Sequence, residues 1–452
     1  MDITFVIPTM GSDSLLKIIS DIKKIKSKSE IIIIDDSGGN LNAKRILDEI
    51  NEIQIQNEIS IQYIKNVSNF GPGKSRNIGI EKAQGKYISF VDDDDRLSKE
   101  TLSTIDTNKW NNCDVILTQF HDDTGVFSNH HILSNLELLT QLSSENIINH
   151  FLKLNFYPSQ VQPYFFKKDF LTKNDIFFPN TWMGEDLAFN TCAFQTAKSF
   201  FVFNKPYYFY STRENSLKSS RGAERALDLI EDFIFIENFI SNRSKNNNSE
   251  IANIFTSEVK SFLFFLIIIR VIGGYKETEN NLWNKNIINL INSRCLKYGS
   301  LVNINSKLEA FFELFSKSVL TLSFADIYNS VKAKFYKQIN PFLENIDNIF
   351  IYCYGPFGRS IHKLFSENKT IDLFYIDDSN RFTDKQRKEE GILKLSDLGN
   401  LHKKESLILV CNPQKRVEVS ILNNVTQYIK LNDLKDIKAL GMIKYINALL
   451  LD

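Results

Sequence analysis

The sequence predicts an α/β protein: a mostly parallel sheet wound with helices, a helical middle region, and a second α/β unit at the C-terminal end. Three observations carry this. Apolar runs of strand length alternate with helically spaced segments over residues 1–120. Two of those runs end in adjacent carboxylates, and the strand–turn–helix pattern starts again near Asn348.

Taken in order, "ITFVIPT" is an apolar run ending at a turn, and "SLLKIISDIKKIK" has helical apolar spacing. "EIIIIDDS" is continuously apolar, as strands buried on both sheet faces are. "ISIQYIKN" alternates, "GPGKSRNIGIEKAQ" is a loop entering a helix, and "GKYISFVDDDD" is another buried strand. Strand–helix–strand units imply right-handed crossovers, and ligands of such sheets bind beyond the carboxyl ends of the strands. Asp35 and Asp36 end one strand and Asp92 to Asp95 end another, so both acidic clusters are expected on one rim.

Residues 120–215 are mixed and aromatic-rich, with "QPYFFKKDFL", "WMGEDLAFN" and "KPYYFYSTRENSLKSS". From about 222 the pattern is helical, as in "ERALDLIEDFIFIENFI", broken by the polar loop "SNRSKNNNSE". The expected boundaries are 1–220 for the first domain, 221–345 for a helical linker or scaffold, and 346–452 for a Rossmann-like α/β domain. In that last domain "YGPFGRSIHKLF" supplies Gly355 and Gly358 without a full GxGxxG, and Asp377 follows at the end of the next strand, about 20 residues on. These three residues make a candidate second nucleotide site; a structural or partner-docking domain is the alternative.

The formal net charge of +0 argues against a generally basic nucleic-acid binder and leaves only local patches open. Five cysteines without a CxxC pair suggest a reducing compartment and no zinc knuckle. Met1-Asp2 runs directly into a strand, so no signal peptide is expected. "FLFFLIIIR", the longest apolar run, is too short for a bilayer and reads as a buried helix. The 36 phenylalanines imply a bulky core, with a lipid-facing patch as the alternative.

Four adjacent carboxylates repel one another unless a cation or hydrogen-bond donors lie among them or they stand in open solvent, so a binding site and an acidic surface turn are the two readings. A hard divalent cation, Mg²⁺ or Mn²⁺, takes such oxygens and shares them with substrate phosphates. On an extended strand Asp92 and Asp94 would project to the same side. "NFGPGKSRNIG" offers freed backbone at Gly71 and Gly73, charge at Lys74 and Arg76, and helix-leading amides that could meet a diphosphate, or else only a turn. In "GEDLAFN", Glu185 and Asp186 stand at a helix start, as caps or as a general base. "YSTRENSLKSS" carries Arg213, Ser216 and Lys218, a cationic segment suited to a phosphate leaving group or else an ordinary polar loop.

The ordered series "FVIPT … IIIIDDS … NFGPGKSRNIGIEKAQGKYISFVDDDD … WMGEDLAFN … YYFYSTRENS" resembles the family 2 glycosyltransferases of the GT-A fold, over about residues 1–220. The resemblance implies inverting transfer of a sugar from a nucleotide-sugar, commonly a UDP-sugar, to a glycan or lipid-linked saccharide in bacterial surface polysaccharide synthesis. By position, Pro8, Thr9 and Asp36 would line the nucleobase pocket with Asp35 close by, and Lys74 and Arg76 would lie near the nucleotide. Asp92 and Asp94 match the Asp-any-Asp motif, for ribose and metal respectively. Asp186, beside Glu185, matches the catalytic base, and Arg213 and Ser216 match the segment that closes over the diphosphate. Asp93 stands where the family usually has a small residue, which leaves the metal ligand open among Asp93, Asp94 and Asp95. The implied setting is cytoplasmic; peripheral membrane association and homo-oligomerisation stay open. A nucleotidyltransferase or sugar-nucleotide hydrolase on a related sheet, and a non-catalytic sugar-nucleotide sensor, are the alternatives.

Overall fold

The computed structural model describes residues 1–12, 14–38, 59–122, 129–133, 136, 140–154, 156–211, 224–243, 250–274, 332–333, 335–353, 356–366, 371–378, 383–398, 405–411, 415–432, 434 and 437–442. Two compact units divide the chain: residues 1–218 with 231–260, and residues 219–230 with 261–452.

The first unit is built on a sheet whose parallel part runs β3 (Ser60–Lys65), β2 (Ser29–Asp35), β1 (Ile3–Thr9) and β4 (Tyr87–Phe90). Every residue of β2 is buried, as its unbroken isoleucine run requires of a strand covered on both faces. The parallel register pairs Thr9 with Asp35, so the ends of β1 and β2 reach the same rim. Strand β4 pairs with β1 on the side away from β2. The strand order therefore reverses direction at β1, where open α/β sheets leave a crevice for ligands. Beyond β4 the sheet continues through β8 (Tyr164–Lys167), β6 (Val115–Asp122), β9 (Ser199–Tyr210) and β5 (Arg96–Leu97), with β7 (Thr140–Ser143) also paired to β9, and β8 runs antiparallel to both its neighbours.

Strand β4 is shorter than the sequence suggests. It ends at Phe90 and the chain turns through Asp93 and Asp94, so the alternation expected along an extended "VDDDD" does not apply. The Asp92 N–H donates to the Tyr208 hydroxyl rather than to a neighbouring strand, and Asp95 N–H donates back to the Asp92 carbonyl. A run of carboxylates cannot continue into a dry ladder without donors of its own.

The phenylalanines form a core. Phe90 meets Phe178 and Phe189 edge-on, and Phe178 stacks on Phe189 with centroids 3.9 Å apart. Among the described residues no phenylalanine is an exposed large hydrophobic, which argues against the lipid-facing alternative there. The helix Glu250–Gly274 contains the run read as buried, and its Leu263 and Ile267 are buried. No helix among the described residues is long and apolar enough to cross a membrane.

Beyond residue 220 the helix Glu224–Ser241 and the start of Glu250–Gly274 contribute residues to the first unit. Asp232 accepts from the Thr181 hydroxyl at 2.6 Å, and Thr256 donates to Gln195 at 2.9 Å. Residues 275–331 of the expected helical region lie outside the described residues.

The second unit holds a five-stranded, wholly parallel sheet ordered β12 (Ile392–Leu393), β11 (Asp372–Ile376), β10 (Asn348–Tyr352), β13 (Ser406–Val410) and β14 (Ile437–Gly441). This is the Rossmann-like arrangement expected. Gly358 serves close packing: a Cβ there would collide with the Cys353 carbonyl, so only glycine lets the helix Pro356–Phe365 lie against β10. Asp377 is buried, and Arg387 donates to its backbone carbonyl. Gly355 lies outside the described residues.

Candidate active site

The rim of the parallel strands gathers carboxylates from two strand ends and one helix start. Each has definite partners. Asp35 is fully buried; it accepts from Ser37 N–H at 3.0 Å and from the Tyr63 hydroxyl at 2.6 Å. Burial pushes its pKa up, but the bonds from Ser37 and Tyr63 and the charge of Lys65 outweigh this and hold it below the ordinary value.

Asp36 binds the loop that follows β3. Its Oδ1 accepts from Asn66 Nδ2 at 2.7 Å and Phe70 N–H at 2.8 Å, and its Oδ2 accepts from Gly71 N–H at 2.8 Å. The amides of Phe70 and Gly71, just ahead of the helix Pro72–Lys82, are thus engaged by Asp36. Gly71 has φ +85°, which a side chain rarely adopts. Gly73 is required for packing, since a Cβ would lie 2.7 Å from the Pro179 carbonyl oxygen. Lys74 is exposed, with its ammonium 3.7 Å from the Phe70 ring centroid. Pro8 and Thr9 close β1, and the Thr9 hydroxyl donates to Asp93 Oδ2 at 2.6 Å. Met10 N–H and Ser12 N–H donate to the same oxygen, each at 3.1 Å. Asp93 therefore shapes the loop after β1.

Arg76, which the family resemblance implies near the nucleotide, turns its guanidinium inward, 3% exposed, onto three carboxylates. Nη2 meets Asp92 Oδ1 at 2.8 Å, and Nη1 meets Glu185 Oε1 at 3.0 Å and Asp186 Oδ1 at 2.8 Å. Burial disfavours its charge, but Asp186, Asp92 and Glu185 more than offset this and raise its pKa above the ordinary value. Glu185 and Asp186 occupy the first turn of the helix Glu185–Thr196 and do not act as its cap, which is Gly184 with φ +91°. Their side chains and that of Asp92 are 11, 14 and 28% exposed, so the guanidinium is the floor of the cluster and Asp92 its outermost member.

Gln162 is the residue that sequence reasoning missed. It lies just before β8, is 3% exposed, and donates through Nε2 to Asp92 Oδ2 at 2.7 Å, with Asp186 Oδ2 at 3.4 Å. Val161 N–H also reaches Asp186 Oδ2, at 3.3 Å. A glutamine in an aromatic stretch carries no motif; only the fold brings it here.

Asp95 is buried, accepting from the Tyr208 hydroxyl at 2.5 Å and from Ser211 N–H at 2.8 Å. Burial, and then the neighbouring charges of Asp92 and Asp94, push its pKa up to about 8. Asp94 is half-buried in the same turn. A divalent cation fits the donor chemistry here, since the turn offers carboxylate oxygens of the hard type. Among the described residues no three His, Cys, Asp or Glu side chains converge as ligands, so a cation held at Asp94 would take the rest of its shell from water or a substrate. Trp182, 36% exposed, packs near Gly71 at the edge of the cluster. Arg213 and Ser216 lie outside the described residues.

Residues 4–169 match the family model described as glycosyl transferase family 2. TarS of Staphylococcus aureus, a poly(ribitol-phosphate) beta-N-acetylglucosaminyltransferase, is 25% identical over 222 residues, which is 47% of this chain and 36% of that protein. A poly(ribitol-phosphate) beta-glucosyltransferase of Bacillus spizizenii is 27% identical over 221 residues, 48% of this chain and 33% of that protein. The chain thus spans about a third of the length of these relatives. The crystal structure of S. aureus TarS 1–349 in complex with UDP-GlcNAc aligns over 75% of this chain and 92% of that one, with TM-score 0.51 and 20% identity, a likeness of fold.

Proposed function

We propose that this chain, whose residues 4–169 are a family 2 glycosyltransferase domain, transfers a sugar from a UDP-sugar to a hydroxyl of a surface glycan, with inversion at the anomeric carbon. The observation that carries the reading is the convergence of Asp92 and Asp186 on Arg76 at the carboxyl ends of the parallel strands. The names of the relatives support a polyol-phosphate polymer as the acceptor class, and the TarS complexes with UDP-GlcNAc and UDP support a UDP-sugar donor.

In this reading Asp92 accepts a hydrogen bond from the donor ribose. Asp186 takes the proton of the acceptor hydroxyl as its oxygen bonds to the anomeric carbon. The bond from that carbon to the diphosphate breaks on the opposite face, and its electron pair leaves with the nucleoside diphosphate. Of the Asp186 oxygens, Oδ2 has the longer contacts to Val161 and Gln162, while Oδ1 faces Arg76. Oδ2 is the oxygen we assign to the incoming proton. A divalent cation held at Asp94 supplies, when bound, positive charge for the departing diphosphate.

The test is release of UDP from UDP-GlcNAc and UDP-glucose with poly(ribitol phosphate) as acceptor, with Mn²⁺ or with EDTA. Acceptor-dependent release that is lost in Asp186→Asn, with UDP binding kept, is expected. Binding of UDP with no transfer to any glycan acceptor would favour a non-catalytic sensor instead. Full activity in EDTA would remove the cation from the mechanism.

A further inference from the structure

Four side chains in the candidate site close a ring of hydrogen bonds. Arg76 Nη2 donates to Asp92 Oδ1 and Arg76 Nη1 to Asp186 Oδ1, both at 2.8 Å. Gln162 Nε2 closes the far side, at 2.7 Å from Asp92 Oδ2 and 3.4 Å from Asp186 Oδ2. Each carboxylate therefore meets the guanidinium on one oxygen and the amide on the other. The two carboxylates also settle which way the amide faces, since its oxygen would be repelled where its NH₂ now lies.

The other end of that amide is unusual. Gln162 Oε1 is buried and has no hydrogen-bond partner among the described residues. A buried carbonyl left unpaired costs stability, and such a group calls for an explanation. An apolar side chain of the same size would fill this space without that cost, so packing alone does not account for a glutamine here. What the glutamine adds is at its NH₂ end.

We propose that Gln162 is a positioning residue for sugar transfer: its NH₂ group ties Asp186 to Asp92, so that the group receiving the acceptor proton is held in register with the group holding the donor. The proposal rests on the reading of Asp186 as the base. Among the described residues, the charged groups shown facing Asp186 are Arg76 and, through it, Glu185 and Asp92. Arg76 sets Oδ1, and Gln162 with the Val161 N–H sets Oδ2.

The test is kcat for transfer from UDP-GlcNAc, measured from pH 5 to 9 in the full chain and in Gln162→Glu, Gln162→Met and Asp186→Asn. In Gln162→Glu a new carboxylate next to Asp186 disfavours its ionised form, and in Gln162→Met the loss of a donor acts in the same direction. The acidic limb of kcat is expected to move to higher pH in both, further in Gln162→Glu, with kcat at pH 7 down about tenfold or more. Circular dichroism checks that each variant is folded; if Gln162→Glu fails to fold, the near-isosteric Gln162→Met carries the test. An unmoved limb, whether kcat is unchanged or lowered equally at every pH, overturns the positioning role. Retained turnover in Asp186→Asn overturns the base assignment and this proposal with it. Loss of turnover in Asp186→Asn beside an unmoved limb in the Gln162 variants overturns the positioning role alone.

Discussion

Arg76 and Asp186 stand 110 residues apart in the chain and meet at 2.8 Å between Nη1 and Oδ1. The contact joins the helix Pro72–Lys82, which follows β3, to the first turn of the helix Glu185–Thr196. Through Nη2 the same guanidinium also holds Asp92, just past the end of β4. One buried cation thus assembles the acidic groups that the proposed reaction needs.

Replacing that cation tests its structural weight. Arg76→Met leaves Asp92, Glu185 and Asp186 near one another without their shared counter-charge. Breaking a buried ion pair by removing one partner costs about 3–5 kcal/mol. Urea unfolding is expected to show a loss of that order. A midpoint within error of the parent would mean that the three carboxylates are stabilised by other groups.

The loop at Asn66–Gly71 depends on Asp36. Asp36→Ala removes the acceptor for Asn66 Nδ2, Phe70 N–H and Gly71 N–H. A buried donor left unpaired costs about 1–3 kcal/mol. Thermal melting should fall, and UDP affinity should weaken as the loop loses its anchor. Unchanged melting and unchanged calorimetric affinity together would show the loop to be held by its packing.

Acid stability should report on Asp35. Its folded-state pKa lies below the ordinary 3.8, so the unfolded chain binds the proton more readily. The stabilisation is present above about pH 4 and is lost as pH falls through the depressed folded value. Tyr63→Phe removes one of the bonds that depress it. The variant is expected to lose less stability than the parent between pH 4 and 2, while being less stable at pH 7. Parallel pH profiles for the two proteins would contradict the assignment.

Beyond residue 220, Asp232 braces the segment ahead of the proposed base. Its bond with the Thr181 hydroxyl is 2.6 Å long, and both residues are buried. Thr181→Val deletes a hydrogen bond to a charged group, worth about 1.5–3 kcal/mol. Melting should drop by a corresponding amount and Thr181→Ser should restore it. Failure of the serine variant to restore it would assign the effect to the methyl group instead.

Much of this protein was legible in the chain. The isoleucine run of β2, the alternation of β3 and the glycine-bearing turn into the helix Pro72–Lys82 declare a parallel α/β sheet, because backbone periodicity is a local property. The second sheet was legible for the same reason, and the acidic motifs were visible as strand ends on one rim. Tertiary structure decided what each motif residue touches. Asp92 faces Arg76 and Gln162, Asp93 faces Thr9, and Asp95 faces Tyr208, although the four aspartates are consecutive. Arg76, a plausible phosphate ligand by its loop, became the floor of a carboxylate cluster. Gln162, unmarked by any pattern, closed the ring above it. Hydrogen bonds between groups 16 to 116 residues apart form only when packing brings their elements together, and no local pattern in the chain encodes them.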